Sequence, residues 1–227
     1  MTAPASDIGW DGQPRGRCHV DDQDVPAHSQ HRGEDRQAGP PHDGSRLIYI
    51  MGASGSGKDT LLRLARAQLD NADRVLIAHR YITRPAGADE ASIYLDPAEH
   101  ARRAAMGCFA LHWASHGLAY GIGVEIDAWM AAGITVLVNG SRAYLPQACV
   151  RYPGLCAVTI RVDAGTLRSR LAGRGRESAE DIAARLARAE AAFDVPPDCE
   201  MIALDNNGAA DDAATALLTI ARRRCHA

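Results

Sequence analysis

The chain has 227 residues, 46% of them hydrophobic, and a formal net charge of −3. That is enough for one α/β domain with a full core plus some excess. The slightly acidic balance excludes general attraction to nucleic acid or to a membrane surface.

No apolar run approaches membrane-spanning length, and the first residues lack the hydrophobic stretch of a secretion signal. A cytoplasmic protein is expected. Six cysteines (Cys18, Cys108, Cys149, Cys156, Cys199 and Cys225) are scattered with no C-x-x-C pair. They read as small apolar residues or free thiols in a reducing compartment, not as a zinc site or a disulfide frame.

Residues 1–45 are rich in Asp, Gln, His, Arg, Gly and Pro, with Trp10 their one aromatic residue before the regular pattern begins. Such a composition buries too little surface to offset the entropy of ordering, so a disordered N-terminal extension is expected, followed by a single domain over 46–227. His19, His28, His31 and His42 are too irregularly spaced to read as a metal-binding tail.

Leu47-Ile48-Tyr49-Ile50-Met51 reads as a buried strand. Gly52-Ala53-Ser54-Gly55-Ser56-Gly57-Lys58-Asp59-Thr60 follows it, and a helix from Lys58 to about Leu69 comes next. Strand, glycine turn and helix start occur in the order that a phosphate-binding loop requires. Glycines let successive N–H groups turn inward around an anion, the helix start adds its positive dipole end, and Lys58 supplies a point charge for the outer phosphates. A hydroxyl residue usually follows the lysine and binds Mg²⁺. Here Asp59 takes that place and Thr60 comes one later.

Further along, Arg74–Ala78 reads as a strand ending in the polar run 79–85, and Pro97–Met106 as a helix with proline in its first turn. Phe109–His112 and Leu118–Gly121 read as short strands or a hairpin near a substrate, Glu125–Ala132 as a helix stopped by Gly133, and Ile134–Val138 as a buried strand ending in Asn139-Gly140-Ser141-Arg142. A strand over 156–162, helices from about 165 to 171 and from 179 to 193, a strand over 201–204 and a helix over 209–223 complete the chain, with no internal repeat. Strands alternating with helices imply an α/β three-layer sandwich with a mainly parallel sheet. Ligands then gather at the carboxyl ends of its strands.

Three clusters stand beside the loop. His79, Arg80 and Arg84 beyond one strand and Arg142 beyond another suit a phosphorylated acceptor, because guanidinium forks match phosphate oxygens. Arg168, Arg170, Arg174 and Arg176, interleaved with Gly173 and Gly175 and followed by Arg185 and Arg188, suit a small lid at about 173–178. Such a lid closes on ATP, excludes water and places positive charge on the transferring phosphoryl group. The run 107–121 offers aromatic residues and the Tyr120 hydroxyl for an acceptor pocket, although Phe109 and Trp113 also fit a plain core.

With these residues in place, the span 46–193 resembles the guanylate-kinase-like branch of the P-loop kinases and is most similar to the ribose 1,5-bisphosphate phosphokinase family. The carrying motifs are Gly-Ala-Ser-Gly-Ser-Gly-Lys-Asp-Thr (52–60), His-Arg-Tyr-Ile-Thr-Arg-Pro (79–85), Phe-Ala-Leu-His-Trp (109–113), Gly-Leu-Ala-Tyr-Gly-Ile-Gly-Val-Glu-Ile (117–126), Val-Asn-Gly-Ser-Arg (138–142) and Arg-Gly-Arg-Glu (174–177). The Lys-Asp pair, unusual for P-loop proteins at large, is normal in that family, whereas Ala91-Ser92 after Glu90 stands where the family pattern has Asn-His.

The resemblance implies a nucleoside-monophosphate-kinase-like fold and ATP-dependent phosphorylation of ribose 1,5-bisphosphate to 5-phosphoribosyl 1-diphosphate, within phosphonate catabolism. It implies ATP held by residues 52–60, Mg²⁺ near Asp59 and Thr60, and acceptor binding by His79, Arg80, Arg84, Glu90, Tyr120 and Arg142. Lys58, Arg170, Arg174, Arg176 and Arg185 would act on the transferring phosphoryl group. The expected partner is a small phosphorylated sugar, with no nucleic acid and no membrane; a homodimer is carried as an expectation that the sequence does not fix.

Two other readings compete. A guanylate kinase would want a buried carboxylate for the guanine N–H groups, and 107–117 contains neither Asp nor Glu. A non-catalytic nucleotide-binding module is suggested by the missing loop hydroxyl and by Asn139 where many P-loop enzymes carry an acid, but such a module has no use for an arginine lid.

Overall fold

The structure is a computed structural model that describes residues 41–85, 87, 91–173, 179–190 and 192–225. Of the two units into which the chain divides, 1–36 and 37–227, every described residue lies in the second. Most of the expected N-terminal extension, residues 1–40, is therefore outside the described residues. Residues 42–45 pack on the domain: the His42 and Gly44 amides donate to Arg151 O and Pro153 O at 2.9 and 2.8 Å.

A five-stranded sheet in the order β2-β7-β1-β8-β9 forms the centre. Its strands are β1 (Leu47–Gly52), β2 (Val75–Ile77), β7 (Thr135–Asn139), β8 (Cys156–Arg161) and β9 (Glu200–Asp205). All four pairings are parallel. Parallel strands covered on both faces read as continuous apolar runs, and β1 shows how the period of two divides such a run. Ile48 and Ile50 enter one core with Leu61, Leu62 and Ala65 of α1 (Lys58–Gln68) and Leu217, Leu218 and Ala221 of α7 (Ala210–Arg224). Leu47, Tyr49 and Met51 enter the other, with Ile126 and Met130 of α3 (Glu125–Ala131) and Leu145 and Ala148 of α4 (Leu145–Arg151). This is the expected three-layer sandwich.

The second sheet has four strands in the order β4-β3-β6-β5: β3 (Arg80–Ile82), β4 (Ser92–Tyr94), β5 (Phe109–Ser115) and β6 (Leu118–Gly123). The expected hairpin is β5 and β6, paired antiparallel, with β3 antiparallel to β6 and parallel to β4. Strands β3 and β4 and helix α4 go beyond the sequence reading, which left 79–85 as a polar run. Helix α2 (Pro97–Ala105) has Pro97 in its first turn and Asp96 as its cap, accepting from the Glu99 amide at 2.9 Å. Helices α5 (Ala164–Ala172) and α6 (Ala179–Glu190) flank the expected lid, whose residues 174–178 lie outside the described residues.

Among the described residues all five cysteines are free thiols, no helix is long and apolar enough to cross a membrane, and no group of three or more His, Cys, Asp or Glu side chains is placed to hold a metal ion.

Candidate active site

The loop between β1 and α1 turns on two glycines. Gly55 and Gly57 have φ of 88° and 90°, a left-handed conformation that a side chain would strain, and a Cβ on Gly57 would come within 2.7 Å of Asn206 Nδ2. Gly57 also caps α1, so the helix opens at the loop without a side-chain cap and its first amides face the loop. Lys58 Nζ lies back along the loop and donates to Gly52 O at 2.8 Å and Ala53 O at 3.0 Å.

The loop is braced from the edge of the sheet beyond β8. Asn206, 2% exposed at the end of β9, donates from Nδ2 to Ser56 O at 2.8 Å. Its own carbonyl accepts from Arg170 Nη2 at 2.8 Å, and Arg170 Nη1 stands 3.6 Å from where a Gly57 Cβ would lie. From α6, Arg185 Nη1 donates to Ser54 Oγ at 2.8 Å. Two of the expected lid-side arginines thus already touch the loop or its brace.

Asp59 faces the other way. Its Oδ1 accepts from Asn139 Nδ2 at 2.8 Å and lies 3.6 Å from Arg80 Nη2. β1 and β7 are hydrogen-bonded neighbours with Ile50 level with Asn139, so the sheet register brings the end of β7 beside the first turn of α1. Asn139 is buried, and its Oδ1 has no hydrogen-bond partner. Asp59, Arg80 and Asn139 line one cleft with Leu62, Arg66, Ala91 and Ser92. Arg66, which donates to Ile77 O at 3.2 Å, is a second cleft cation that the sequence reading did not single out; burial lowers its pKa. Thr60 is half-buried in the first turn of α1.

The other expected acceptor residues divide. Tyr120 carries the Arg80 guanidinium, with Cζ 5.3 Å from the ring centroid. His79 is exposed, its Nδ1 3.1 Å from Ala91 O at the rim of the cleft. Arg84, beyond β3, donates to Pro85 O at 2.9 Å. Arg142 turns to α6 instead, donating to Ala189 O at 2.9 Å with its guanidinium over Phe193, and it does not line the cleft. Glu90, Arg174 and Arg176 lie outside the described residues.

No protein-family model matches the chain. The ribose 1,5-bisphosphate phosphokinase PhnN of Achromobacter xylosoxidans (strain A8) is 62% identical over 182 residues, which are 80% of this chain and 95% of that protein. The protein of the same name from Burkholderia mallei (strain SAVP1) is 50% identical over 175 residues, covering 77% and 94%. The chain belongs to the ribose 1,5-bisphosphate phosphokinase family. Among solved structures, the guanylate kinase of Anaplasma phagocytophilum matches with a TM-score of 0.50 at 16% identity, over 82% of this chain and 89% of that one, a likeness of fold alone.

Within this family site, the residues that sequence reasoning missed are Asn206 and Arg66. The Asn206-Asn207-Gly208 turn directly after the last strand of the parallel sheet was the available signal for the first, because ligand-contacting residues collect at such strand ends. Arg66 gave no signal, since one arginine on the polar face of an amphipathic helix looks like any solvated charge.

Proposed function

We propose that the chain transfers the γ-phosphoryl group of ATP to the 1-phosphate of ribose 1,5-bisphosphate, giving ADP and 5-phosphoribosyl 1-diphosphate. Membership of the family names the reaction. The observation that supports the reading is the 3.6 Å approach of Arg80 to Asp59, a guanidinium group at the mouth of the phosphate loop where an anionic acceptor would meet the nucleotide.

ATP is bound by residues 52–60. Lys58 exchanges its two loop carbonyls for the outer phosphates, and the loop amides with the start of α1 take the rest of the charge. Arg170 and Arg185, bonded to Asn206 O and Ser54 Oγ, shift onto the phosphates as the expected lid with Arg174 and Arg176 closes. On the acceptor side Arg80 grips the 1-phosphate, with Arg84, His79, Tyr120 and Arg66 around the rest of a doubly charged sugar. An ionised phosphate oxygen is already a nucleophile, so the site needs positioning and charge, and no general base. The γ-phosphorus–oxygen bond to ADP breaks as the new diphosphate bond forms.

The residues fit Mg²⁺. Asp59 offers a carboxylate, Thr60 a hydroxyl nearby and Asn139 a buried amide oxygen without a partner, all hard oxygen donors. These residues would hold Mg²⁺ beside the phosphate loop, where it would supply positive charge against the nucleotide phosphates.

Labelled ATP offered with either ribose 1,5-bisphosphate or GMP tests the assignment. The label is expected in 5-phosphoribosyl 1-diphosphate and not in GDP. Transfer to GMP alone overturns it.

A further inference from the structure

Three rings and a guanidinium form one stack beside the cleft. Trp113 of β5 pairs with Tyr120 of β6, and their rings lie 5.5 Å apart and 7° from parallel. On β3, Ile82 is level with Tyr120 and Arg80 with Ile122, so by the alternation of strands Arg80 and Tyr120 share a face of the small sheet. There Arg80 Cζ stands 5.3 Å from the Tyr120 centroid. Trp113 also stacks on Tyr144, at 5.5 Å and 27°.

Tyr144 belongs to the parallel sheet's side of the molecule. It closes the 3-10 turn Arg142–Tyr144 just after β7, and Ser141 before that turn is held on both backbone groups. The fully buried Tyr49 hydroxyl donates to Ser141 O at 2.9 Å and accepts from Ser141 N at 2.8 Å. The fit is close: a Cβ on Gly140 would fall 2.1 Å from the Tyr49 ring. The stack therefore runs from a fixed point of the large sheet, across the small sheet, to the guanidinium that faces Asp59.

Arg80 needs such a support. Its side chain is 13% exposed, its buried Nε has no hydrogen-bond partner among the described residues, and Asp59 at 3.6 Å is too far for a hydrogen bond. An arginine stem has several rotatable bonds, and among the described residues little else holds the planar head in register. A guanidinium lying on an aromatic face keeps its in-plane N–H groups available for a phosphate.

We infer that Trp113 and Tyr144 are positioning residues for the acceptor: through Tyr120 they hold Arg80 where the anomeric phosphate of a doubly phosphorylated pentose must lie. The inference rests on the reading of Arg80 as an acceptor ligand, and the test separates the two.

Steady-state kinetics of the full chain, with ATP and ribose 1,5-bisphosphate varied independently, are compared for Arg80→Gln, Trp113→Leu, Trp113→Phe and Tyr144→Leu, with melting curves alongside. Trp113→Leu and Tyr144→Leu are expected to raise the KM for ribose 1,5-bisphosphate about tenfold and to leave the KM for ATP within about twofold. Trp113→Phe restores most of the loss, and in an Arg80→Gln background Trp113→Leu adds no further rise. If Arg80→Gln raises the acceptor KM while Trp113→Leu leaves it unchanged, or moves both KM values equally, the inference is overturned and the reading of Arg80 stands. If Arg80→Gln leaves the acceptor KM unchanged, that reading falls and the inference with it. Should Trp113→Leu fail to fold, Tyr144→Leu and Trp113→Phe carry the same comparison.

Discussion

Asp59 occupies the place where a P-loop ordinarily offers a hydroxyl to a metal ion, and its surroundings define a different use of that place. One carboxylate oxygen is anchored by Asn139 at 2.8 Å and faced by Arg80 at 3.6 Å. On the proposed reading, removing the carboxylate takes away an oxygen ligand of Mg²⁺ or the acceptor of a metal-bound water, together with the charge facing Arg80. Asp59→Ala is expected to raise the Mg²⁺ concentration needed for half-maximal turnover about 10–100-fold, measured by titrating Mg²⁺ at fixed ATP. An unchanged Mg²⁺ requirement excludes the role. At this scale the loop itself was legible, because its nine residues are consecutive and each has a local physical reason. The partners of those residues were not. Asn139 and Asn206 lie 80 and 150 residues from the atoms they hold, and only the strand order brings them there. Arg142 shows the same limit: the end of a strand was read correctly, but the direction of its side chain depends on where α6 passes.

Elements differ in how strongly the chain announces them. β1, β7 and β8 are buried on both faces, so each is a mostly apolar run visible in one pass. β3 and β4 have three residues each and a partly polar face, too short for any period to register. β3 forms because β6 supplies an edge to pair with, and β4 because β3 does in turn, which no local signal records. Helix α4 hides for another reason: about two turns with Pro146 near their start and three inward residues give almost no amphipathic pattern. The closing helix α7 was legible, and it is fastened by a fork in which Arg222 Nε and Nη2 each donate to Asp73 at 2.7 Å. Those hydrogen bonds, helped by the Asp70 amide contact, lower the Asp73 pKa from 3.8 to about 2. A carboxyl held low favours the folded state above its ordinary pKa, and that share disappears as pH falls through the folded value. The Arg222 side chain is 42% exposed, so solvent screens the pair and Asp73→Asn is expected to cost about 0.5–1 kcal/mol, or about 1–4 °C in melting temperature at pH 7. The gap between wild type and variant narrows as pH falls from about 4 through about 2. A gap as large at pH 2 as at pH 7 contradicts the assignment.

The whole molecule places two kinds of positive charge on either side of one carboxyl-end crevice. The parallel sheet fixes the phosphate loop at the end of β1 and Asn139 at the end of the neighbouring β7, and the small sheet carries Arg80 and its aromatic support up to them. α5 and α6 bring Arg170 and Arg185 to the opposite side of the loop. This division matches the proposed chemistry: a nucleotide held by amides and lysine, an acceptor held by guanidinium groups, and transfer between them with water kept out. The central claim is that both halves serve one transfer, and phosphorus NMR of a reaction with ATP, Mg²⁺ and ribose 1,5-bisphosphate tests it most directly. The account predicts that the anomeric monophosphate signal gives way to a coupled diphosphate pair in step with the appearance of ADP. Accumulation of ADP and inorganic phosphate, with the anomeric monophosphate signal intact, contradicts it.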